Sequence, residues 1–520
     1  MRIKGIAMAD DNWSNVEHVN TIIIGAGLSG IGLAYYMQRD CPRNSYLILE
    51  AREKSGGTWD LFKYPGIRSD SDLYTFGYEF KPWEDDKAIA DGPSILSYIR
   101  DTASENNIDQ NIRYQKKVIK ANWHSDKSVW HVTIQNTISS ESSLSYMTCS
   151  WLFSAAGYYN YDEGYTPALQ NIKNYEGEVI HPQHWPQDLD YRDKKVVVIG
   201  SGATAVTLLP AMAEETAHIT MLQRTPSYIM SLPQKDPIAN FLRKLLPSKI
   251  AYKLTRKKNI SIARAVWNFC QKFPNVARKI IRSNNKKLLP KEFPVDEHFN
   301  PPYNPWDQRL CAVPDGDLFK VIQEGKGSIV TDYIETFTKN GIALKSGKEL
   351  EADIVITATG LNVQLFGGME FMIDDIPVDL SKSVTFKGMM LSGIPNFAFA
   401  VGYTNSSWTL KVGLLCEHFC RMMNHMDTKN HKSCQAELPS ADMPTRPFLD
   451  FGAGYIQRVI DQLPRQGLEP PWYMSMDYKV DLKNLRYGPL VDENLVFDKT
   501  RPHIEQTDQN THEMRLFQEA

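Results

Sequence analysis

Two segments of this chain share one organisation: a short β-branched run, a glycine-rich turn and a helical pattern. The first is TIIIGAGLSGIGLAYYMQ, from Thr21, and the second is KVVVIGSGATAVTLLPAMA, from Lys195. A strand that turns directly into a helix is typical of a βαβ unit in a parallel sheet. Because 520 residues exceed what one hydrophobic core usually serves, each segment is expected to begin its own doubly wound α/β domain.

The first glycine turn has the spacing of a dinucleotide-binding loop. Gly25 permits the tight turn, Gly27 lets a pyrophosphate approach the backbone, and Gly30 allows close packing of helix on strand. The helix N-terminus then presents unpaired N–H groups and its positive dipole end to the phosphates. Glu50 ends the next strand pattern, YLILE, where a carboxylate accepts hydrogen bonds from ribose hydroxyls. These features predict a first dinucleotide site.

The second turn repeats the fingerprint, with Gly200, Gly202 and an alanine, Ala205, in the place of the third glycine. The following strand pattern, HITMLQR, ends at Arg224, where an NAD site would have a carboxylate. A guanidinium can bind a 2′-phosphate through two hydrogen bonds, whereas a carboxylate would repel it. The second site is therefore predicted to bind NADPH, with the hydroxyl of Thr225 beside it. The other interpretation of Arg224 is a surface residue at a strand end.

Composition limits the other classes of function. Hydrophobic residues at 42%, charged residues at 23% and a net charge of −3 are ordinary for a soluble protein and do not favour nucleic acid as a partner. The N-terminus has no signal-peptide pattern and no long apolar run is present, so a cytoplasmic location is expected. The seven cysteines are scattered and lack zinc-site spacing, so no metal is expected.

A further motif lies between the two turns. Residues 175–186 read YEGEVIHPQHWP, which resembles the FxGxxxHxxxWP fingerprint of type I Baeyer–Villiger monooxygenases in the flavin-containing monooxygenase superfamily. Gly177, His181, Trp185 and Pro186 match it, and Tyr175 has the Phe position. Disulfide reductases use the same two nucleotides but need a CxxxxC dithiol in the first domain, which this chain lacks. From about residue 19 to 500, through segments such as GGTWDLFKYPGIRSD, NPWDQRLC and VGYTNSSWTLK, the chain is similar to the ethionamide-activating subgroup.

The resemblance implies an enzyme, an NADPH-dependent flavin monooxygenase with FAD and NADPH as cofactors. It implies conversion of ketones to esters or lactones through a C4a-peroxyflavin, and oxygenation of sulfides, thioamides or amines with dioxygen. Two alternatives stay open. One is a flavin-containing monooxygenase limited to heteroatom oxidation, and the other is an NADPH oxidase that releases hydrogen peroxide.

The resemblance also implies the site residues. The FAD contacts correspond to Gly25, Gly27, Ser29, Gly30, Glu50, Gly57, Thr58, Trp59, Asp60, Leu61, Asp70 and Val118. The NADP contacts correspond to Arg68, Ser69, Asp70, Gly200, Ser201, Gly202, Ala203, Thr204, Ala205, Val206, Arg224 and Thr225. The catalytic arginine corresponds to Arg309, held in orientation by Asp70. Many family members have lysine before that arginine, and Gln308 here suggests weaker selectivity for NADPH. His181 is interpreted as a hydrogen-bonding hinge in the linker, and Trp185 as packing.

The predicted fold is α/β, with two doubly wound Rossmann-type nucleotide-binding domains and a helical insertion. A leader covers 1–18, the FAD-binding domain 19–150 and 361–520, and the NADPH-binding domain 151–236 and 292–360. The insertion, 237–291, contains 15 Lys and Arg and no Asp or Glu, with apolar residues at helical spacing. Its basic residues either form a solvated face or make a peripheral contact with anionic lipid headgroups.

Overall fold

The protein is described by a computed structural model over residues 16–138, 143–308, 310–450 and 452–498. The first glycine turn belongs to a nine-stranded mixed sheet. Its strands are His18–Ile24, Tyr46–Leu49, Ile112–Arg113, Lys116–His124, Val129–Asn136, Leu144–Ser154, Glu370–Ile373, Ile376–Pro377 and Phe397–Phe399. The strand His18–Ile24 pairs in parallel with a neighbour on each side, and consecutive side chains of its apolar half are buried. Burial on both faces is what a continuous β-branched run predicts for a central parallel strand.

The second glycine turn belongs to a five-stranded sheet in which every pairing is parallel. Its strands are Glu178–Ile180, Lys195–Ile199, His218–Gln223, Gly327–Thr331 and Ile354–Thr357. Lys195–Ile199 lies between His218–Gln223 and Ile354–Thr357, so the strand order reverses beside it. A crevice at the carboxyl ends of the strands, next to such a reversal, is where open α/β sheets bind ligands.

The helices surround these sheets, and small sheets of two or three strands complete the described part of the chain. The helices are Leu28–Asp40, Thr58–Leu61, Leu73–Phe76, Gly92–Glu105, Ala203–Met212, Pro237–Leu245, Ser248–Lys272, Pro274–Lys287, Val295–His298, Asp317–Gln323, Trp408–Lys429, Gly454–Gln457 and Tyr478–Asp481. The remaining strands are Tyr159–Gly164, Tyr228–Leu232, Leu310–Pro314, Ile334–Phe337, Gly341–Leu344, Glu349–Glu351, Leu361–Val363, Thr385–Phe386, Met390–Leu391, Cys434–Ala436, Thr445–Pro447, Arg465–Gly467 and Leu495–Phe497. Among the described residues, no helix combines the length and apolarity needed to cross a bilayer.

The α/β fold with parallel sheet cores is as predicted, and the strand bounds refine where the chain passes between the sheets. The boundary expected at 150/151 falls inside the strand Leu144–Ser154, which pairs with the first strand as far as Ser154. The crossing therefore comes after Ser154. The strand Tyr159–Gly164 then pairs with Leu361–Val363, so the outgoing and returning connections run side by side. Of the leader, residues 1–15 lie outside the described residues, and the first strand begins at His18.

The basic insertion is helical, as predicted, and consists of Pro237–Leu245, Ser248–Lys272 and Pro274–Lys287. Its middle helix packs on the short helix Leu73–Phe76 of the first domain. The buried side chains of Tyr252 and Arg256 make this contact.

Candidate cofactor and active site

Both glycine turns open onto one cleft of about 1520 Å³. The cleft lies at the carboxyl ends of the strands His18–Ile24 and Lys195–Ile199, where Ile24 and Ile199 contribute to its lining. Both turns lead into helices, Leu28–Asp40 and Ala203–Met212, that begin at a glycine without a side-chain cap. Their first N–H groups therefore remain available for an anion at this wall of the cleft.

Close approach of backbone to backbone explains the third glycine of the first turn. A Cβ on Gly30 would lie 2.0 Å from the carbonyl oxygen of Gly25, so no larger residue fits between the helix and the turn. Gly30 does not line the cleft, which agrees with a packing role rather than a ligand contact.

Glu50 lies at the end of the neighbouring strand, buried but lining the cleft. Its carboxylate accepts hydrogen bonds from the backbone N–H groups of Ala26, at 2.7 Å, and Arg52, at 3.0 Å. Burial raises the pKa of the Glu50 carboxyl, and these two hydrogen bonds oppose that shift. Each carboxylate oxygen keeps acceptor capacity for a further donor. The group therefore suits ribose hydroxyls, which are hydrogen-bond donors.

The two glycines of the second turn have different surroundings. A Cβ on Gly200 would lie 2.3 Å from the carbonyl oxygen of Ala358, and the φ angle of Gly200 is +142°. Gly202 lines the cleft, and a Cβ added there would meet no described atom within 4 Å. Space of this kind beside an uncapped helix N-terminus is what a pyrophosphate requires.

Arg224 lies next to this space, exposed and lining the cleft. Among the described residues, it has no hydrogen bond or ion pair. The segment that carries it is tied to the glycine turn, because Ser201 Oγ donates a hydrogen bond to the carbonyl oxygen of Thr225 at 2.9 Å. A guanidinium carried by this anchored backbone, at the end of the strand His218–Gln223, suits a phosphate on an adenosine ribose.

Only some residues of the segment 58–61, which follows the strand Tyr46–Leu49, line the cleft. Thr58 and Trp59 line it, and the Thr58 hydroxyl lies 3.0 Å from the Tyr161 hydroxyl. Asp60 is buried beside the cleft and forms 2.8 Å ion pairs with Arg52 and Arg100. Leu61, the next residue, packs against the second domain's core. The structure thus assigns Asp60 a role in holding the loop, and its contact with FAD stays a prediction.

Arg68, Ser69 and Asp70 all line the cleft, on the side where the two domains face each other. Arg68 forms an ion pair with Asp317, at the start of a helix in the second domain. An anionic ligand near Arg68 would compete with Asp317 for the guanidinium. Arg309 lies outside the described residues, but Gln308 and Cys311 on either side of it line the cleft.

The predicted residues divide into three groups by position. Those that line the cleft are Gly25, Gly27, Ser29, Glu50, Gly57, Thr58, Trp59, Arg68, Ser69, Asp70, Val118, His181, Gly200, Ser201, Gly202, Ala203, Thr204, Arg224 and Thr225. Described residues away from its lining are Gly30, Asp60, Leu61, Gly177, Trp185, Pro186, Ala205 and Val206. The third group is Arg309. Ala205 is fully buried in the second core, which fits a residue that replaces a packing glycine.

His181 connects the two chain crossings. Its Nδ1 accepts a hydrogen bond from the Gln183 N–H at 3.2 Å, so the proton of the neutral ring is on Nε2, which lies 3.1 Å from the Gly360 carbonyl oxygen. Burial lowers the pKa of His181 and favours this neutral form. Trp185 packs at the edge of the second core, and the Tyr175 hydroxyl donates to the Ala352 carbonyl oxygen at 3.0 Å. These contacts fix the path of the linker.

Sequence reasoning missed aromatic residues that line the cleft. Trp408 begins the long helix Trp408–Lys429, and its Nε1 donates a hydrogen bond to Ser29 Oγ at 2.9 Å. Its ring stacks on Tyr158, with ring centroids 5.6 Å apart. This hydrogen bond joins the first glycine turn to a residue 379 positions further along the chain. The available signal was the polar and aromatic segment VGYTNSSWTLK, directly after a buried strand.

A second missed group lies behind the cleft wall. Tyr403 lines the cleft and donates a hydrogen bond to Asp481 Oδ2 at 2.7 Å. Lys411 Nζ, which is buried, lies 3.4 Å from the same carboxylate oxygen and donates to the Ser475 carbonyl oxygen. Burial lowers the pKa of Lys411 and raises that of Asp481, while their mutual attraction opposes both shifts. The ion pair anchors the C-terminal segment to this wall.

Comparison with known proteins identifies the family. The sequence model of the pyridine nucleotide-disulphide oxidoreductase family matches residues 22–260. The FAD-containing monooxygenase EthA of Mycobacterium tuberculosis is 52% identical over 484 residues, covering 93% of this chain and 98% of that protein. The chain belongs to the family of FAD-containing monooxygenases. A probable FAD-binding monooxygenase, AlmA of an Acinetobacter species, is 45% identical and covers 93% of this chain and 97% of its own.

Solved structures of monooxygenases have the same fold. OTEMO in complex with FAD and NADP has a TM-score of 0.71 at 19% identity, covering 93% of this chain and 100% of that one. A steroid monooxygenase bound to NADP has a TM-score of 0.70 at 18% identity, covering 92% and 99%. As a member of the FAD-containing monooxygenases, this chain is an enzyme of flavin-dependent oxygenation. All seven cysteines are free and buried, and the sequence lacks the CxxxxC dithiol of disulfide reductases.

Proposed function

We propose that this FAD-containing monooxygenase uses NADPH to convert ketones to esters or lactones, the Baeyer–Villiger reaction, and that it also oxygenates sulfur in sulfides or thioamides. The observation that carries the proposal is that both uncapped glycine-turn helices open onto the same cleft. Two dinucleotides held in this way would meet within one cleft, which hydride transfer between them requires. The likeness of YEGEVIHPQHWP to the Baeyer–Villiger fingerprint directs the proposal to ketones.

The first turn would hold FAD. The N-terminus of the helix Leu28–Asp40 would face its pyrophosphate, and Glu50 would accept hydrogen bonds from ribose hydroxyls. Thr58, Trp59 and Val118 would line the flavin end of the cleft.

The second turn would hold NADPH. Gly202 leaves the space that a pyrophosphate needs, and Arg224 supplies the positive charge that a 2′-phosphate needs. Thr225 adds a hydroxyl at the same wall. Small-molecule ketones or sulfides and dioxygen would reach the remaining part of the cleft.

When bound, the flavin supplies the redox chemistry: two electrons from NADPH reduce dioxygen, one oxygen atom enters the substrate and the other leaves as water. The chain's own residues would exclude bulk water and place charge. Trp408 and Tyr158, stacked on each other, form an apolar wall of the cleft. Arg309 would stabilise the negative charge that develops on the carbonyl oxygen of the ketone, and Asp70 would orient this guanidinium.

The test measures NADPH consumption, ester, sulfoxide and hydrogen peroxide in one assay, with a panel of ketones and sulfides. The proposal expects ester in amounts close to the NADPH consumed. Sulfoxide without ester would identify an enzyme limited to heteroatoms. Hydrogen peroxide without either product would identify an NADPH oxidase. Both of these outcomes would overturn the ketone assignment.

A further inference from the structure

The basic insertion, residues 237–291, exposes an unusual number of large apolar side chains. Of twenty large hydrophobic residues that are exposed in the described part of the chain, eleven lie in this segment. They are Ile238, Phe241, Leu245, Ile250, Leu254, Ile262, Val266, Phe269, Phe273, Val276 and Ile280. This concentration of exposed apolar side chains in one segment favours a contact surface over single tolerated residues.

Helical spacing places several of these side chains on common faces. Ile262, Val266, Phe269 and Phe273 follow each other at intervals of four, three and four residues, and they are 53%, 38%, 38% and 46% exposed. Residues at such intervals lie on one side of a helix. In the preceding helix the exposed Ile238, Phe241 and Leu245 follow the same rule.

Uncompensated positive charge surrounds the apolar side chains. Within the described residues, nine exposed lysines of the insertion have no ion pair. They are Lys244, Lys249, Lys253, Lys257, Lys272, Lys279, Lys286, Lys287 and Lys291. The rest of the chain holds 43 Lys and Arg against 61 Asp and Glu, a balance of −18. An anionic surface would therefore attract this segment and repel the remainder, which orients the molecule.

The opposite face of the insertion is anchored firmly. Arg256 Nη1 donates to the carbonyl oxygens of Tyr74, Thr75 and Gly77, at 2.9, 3.0 and 2.8 Å. The Tyr252 hydroxyl donates to the Tyr78 carbonyl oxygen at 2.8 Å. Both side chains are buried, so the outer face is presented on a fixed support. The supported segment includes Phe76, which lines the cleft.

We propose that residues 237–291 dock the protein on the surface of an anionic lipid bilayer, with the exposed apolar side chains inserted at the headgroup boundary. Lysine side chains can reach the headgroups while their aliphatic stems lie along the apolar surface. A nucleic acid would engage the lysines but leave the aromatic and aliphatic side chains in water. A second copy of the chain would bring like charges together across the interface.

The test is sedimentation of the full-length flavoprotein with vesicles. Phosphatidylcholine vesicles with about one third phosphatidylserine are compared with pure phosphatidylcholine, at low and high salt. The wild-type protein should pellet with the anionic vesicles at low salt, remain in solution with the neutral ones, and be released by high salt. Failure to pellet with the anionic vesicles at low salt would overturn the proposal.

Three variants separate the contribution of the lysines to vesicle binding from that of the exposed phenylalanines. Lys249→Glu/Lys272→Glu/Lys279→Glu should weaken binding at least about tenfold, because each lysine near the surface contributes favourably. Phe241→Ser/Phe269→Ser/Phe273→Ser should also weaken binding to the vesicles. A basic surface that binds through charge alone would not be affected by this change. The control Lys54→Glu/Lys173→Glu/Lys429→Glu makes the same charge change at exposed lysines elsewhere and should bind like the wild type.

Two results with these variants would overturn the proposal. One is undiminished binding of the phenylalanine variant, and the other is an equal loss of binding in the control. NADPH oxidation with a water-soluble substrate should be unchanged in all three variants. This readout separates a failure of docking from a failure of the proposed function.

Discussion

His181 Nε2 lies 3.1 Å from the carbonyl oxygen of Gly360, so one imidazole joins the outgoing and returning connections between the two domains. Its other nitrogen accepts a hydrogen bond from the Gln183 N–H, which leaves no lone pair for a further proton. Protonation of this ring must therefore break the second contact. We therefore expect the linkage between the domains to depend on pH through this ring.

Replacing His181 by glutamine should make stability less dependent on pH. Burial lowers the pKa of His181 below that of the unfolded chain, so the unfolded chain binds the proton more readily. The wild type should then lose stability as pH falls through about 6.5, and the variant should lose less. Thermal unfolding between about pH 7.5 and pH 5.5 measures this. His184→Gln, a change at an exposed neighbour, should keep the wild-type slope, and an unchanged slope in His181→Gln would refute the coupling.

Gly202→Val and Gly200→Ala should have opposite consequences. A side chain at Gly202 meets no described atom within 4 Å, so the valine variant should fold and retain its flavin. Its KM for NADPH should rise at least about tenfold, because the pyrophosphate must approach that backbone. Gly200→Ala places a methyl group 2.3 Å from the Ala358 carbonyl oxygen at a φ of +142°. It should lose roughly 1–3 kcal/mol of stability. Normal NADPH kinetics in Gly202→Val would place the nucleotide elsewhere.

Arg224→Ala should remove most of the preference for NADPH over NADH. A charge-assisted contact with the 2′-phosphate is worth roughly 1.5–3 kcal/mol, or about 10- to 100-fold in kcat/KM. NADH lacks this phosphate, so its kcat/KM should be almost unchanged. Arg43→Ala, at an exposed arginine away from the cleft, is the control. Equal losses with both nucleotides would show that Arg224 has a structural role instead.

Arg309→Ala should uncouple NADPH oxidation from oxygenation. Its neighbours Gln308 and Cys311 line the cleft, and the family resemblance assigns it the catalytic position. Loss of one preorganised positive donor typically costs about 100- to 1000-fold in rate. Flavin content and reduction by NADPH should persist, while ester formation falls and hydrogen peroxide rises. Arg309→Lys, which keeps the charge, should retain more ester formation. Ester formation at wild-type rates in Arg309→Ala would remove this residue from the mechanism.

The features that could be predicted from the sequence are those that depend on residues close together in the chain. Both glycine turns, Glu50 and Arg224 lie where strand–turn–helix spacing places them, because each of the two βαβ units is built from contiguous residues. The boundary expected at 150/151 lies inside the strand Leu144–Ser154, whose end pairs with the distant strand Phe397–Phe399. Spacing along the chain carries no information about such a partner.

Long-range contacts explain the other differences. Asp60 follows Thr58 and Trp59 directly, but unlike them it does not line the cleft and forms ion pairs with Arg52 and Arg100. The hydrogen bond from Trp408 to Ser29 joins segments 379 residues apart. Neither relation has a periodicity or a spacing that a sequence reveals, so both required the three-dimensional structure.

The most direct test of the central claim is incubation of the purified flavoprotein with NADPH, a ketone and isotopically labelled dioxygen. The products are analysed by mass spectrometry alongside the NADPH consumed. The proposed Baeyer–Villiger reaction predicts ester that carries one labelled oxygen atom, formed in nearly equal amount to the NADPH oxidised. Labelled hydrogen peroxide without labelled ester, across a panel of ketones of different size, would contradict it.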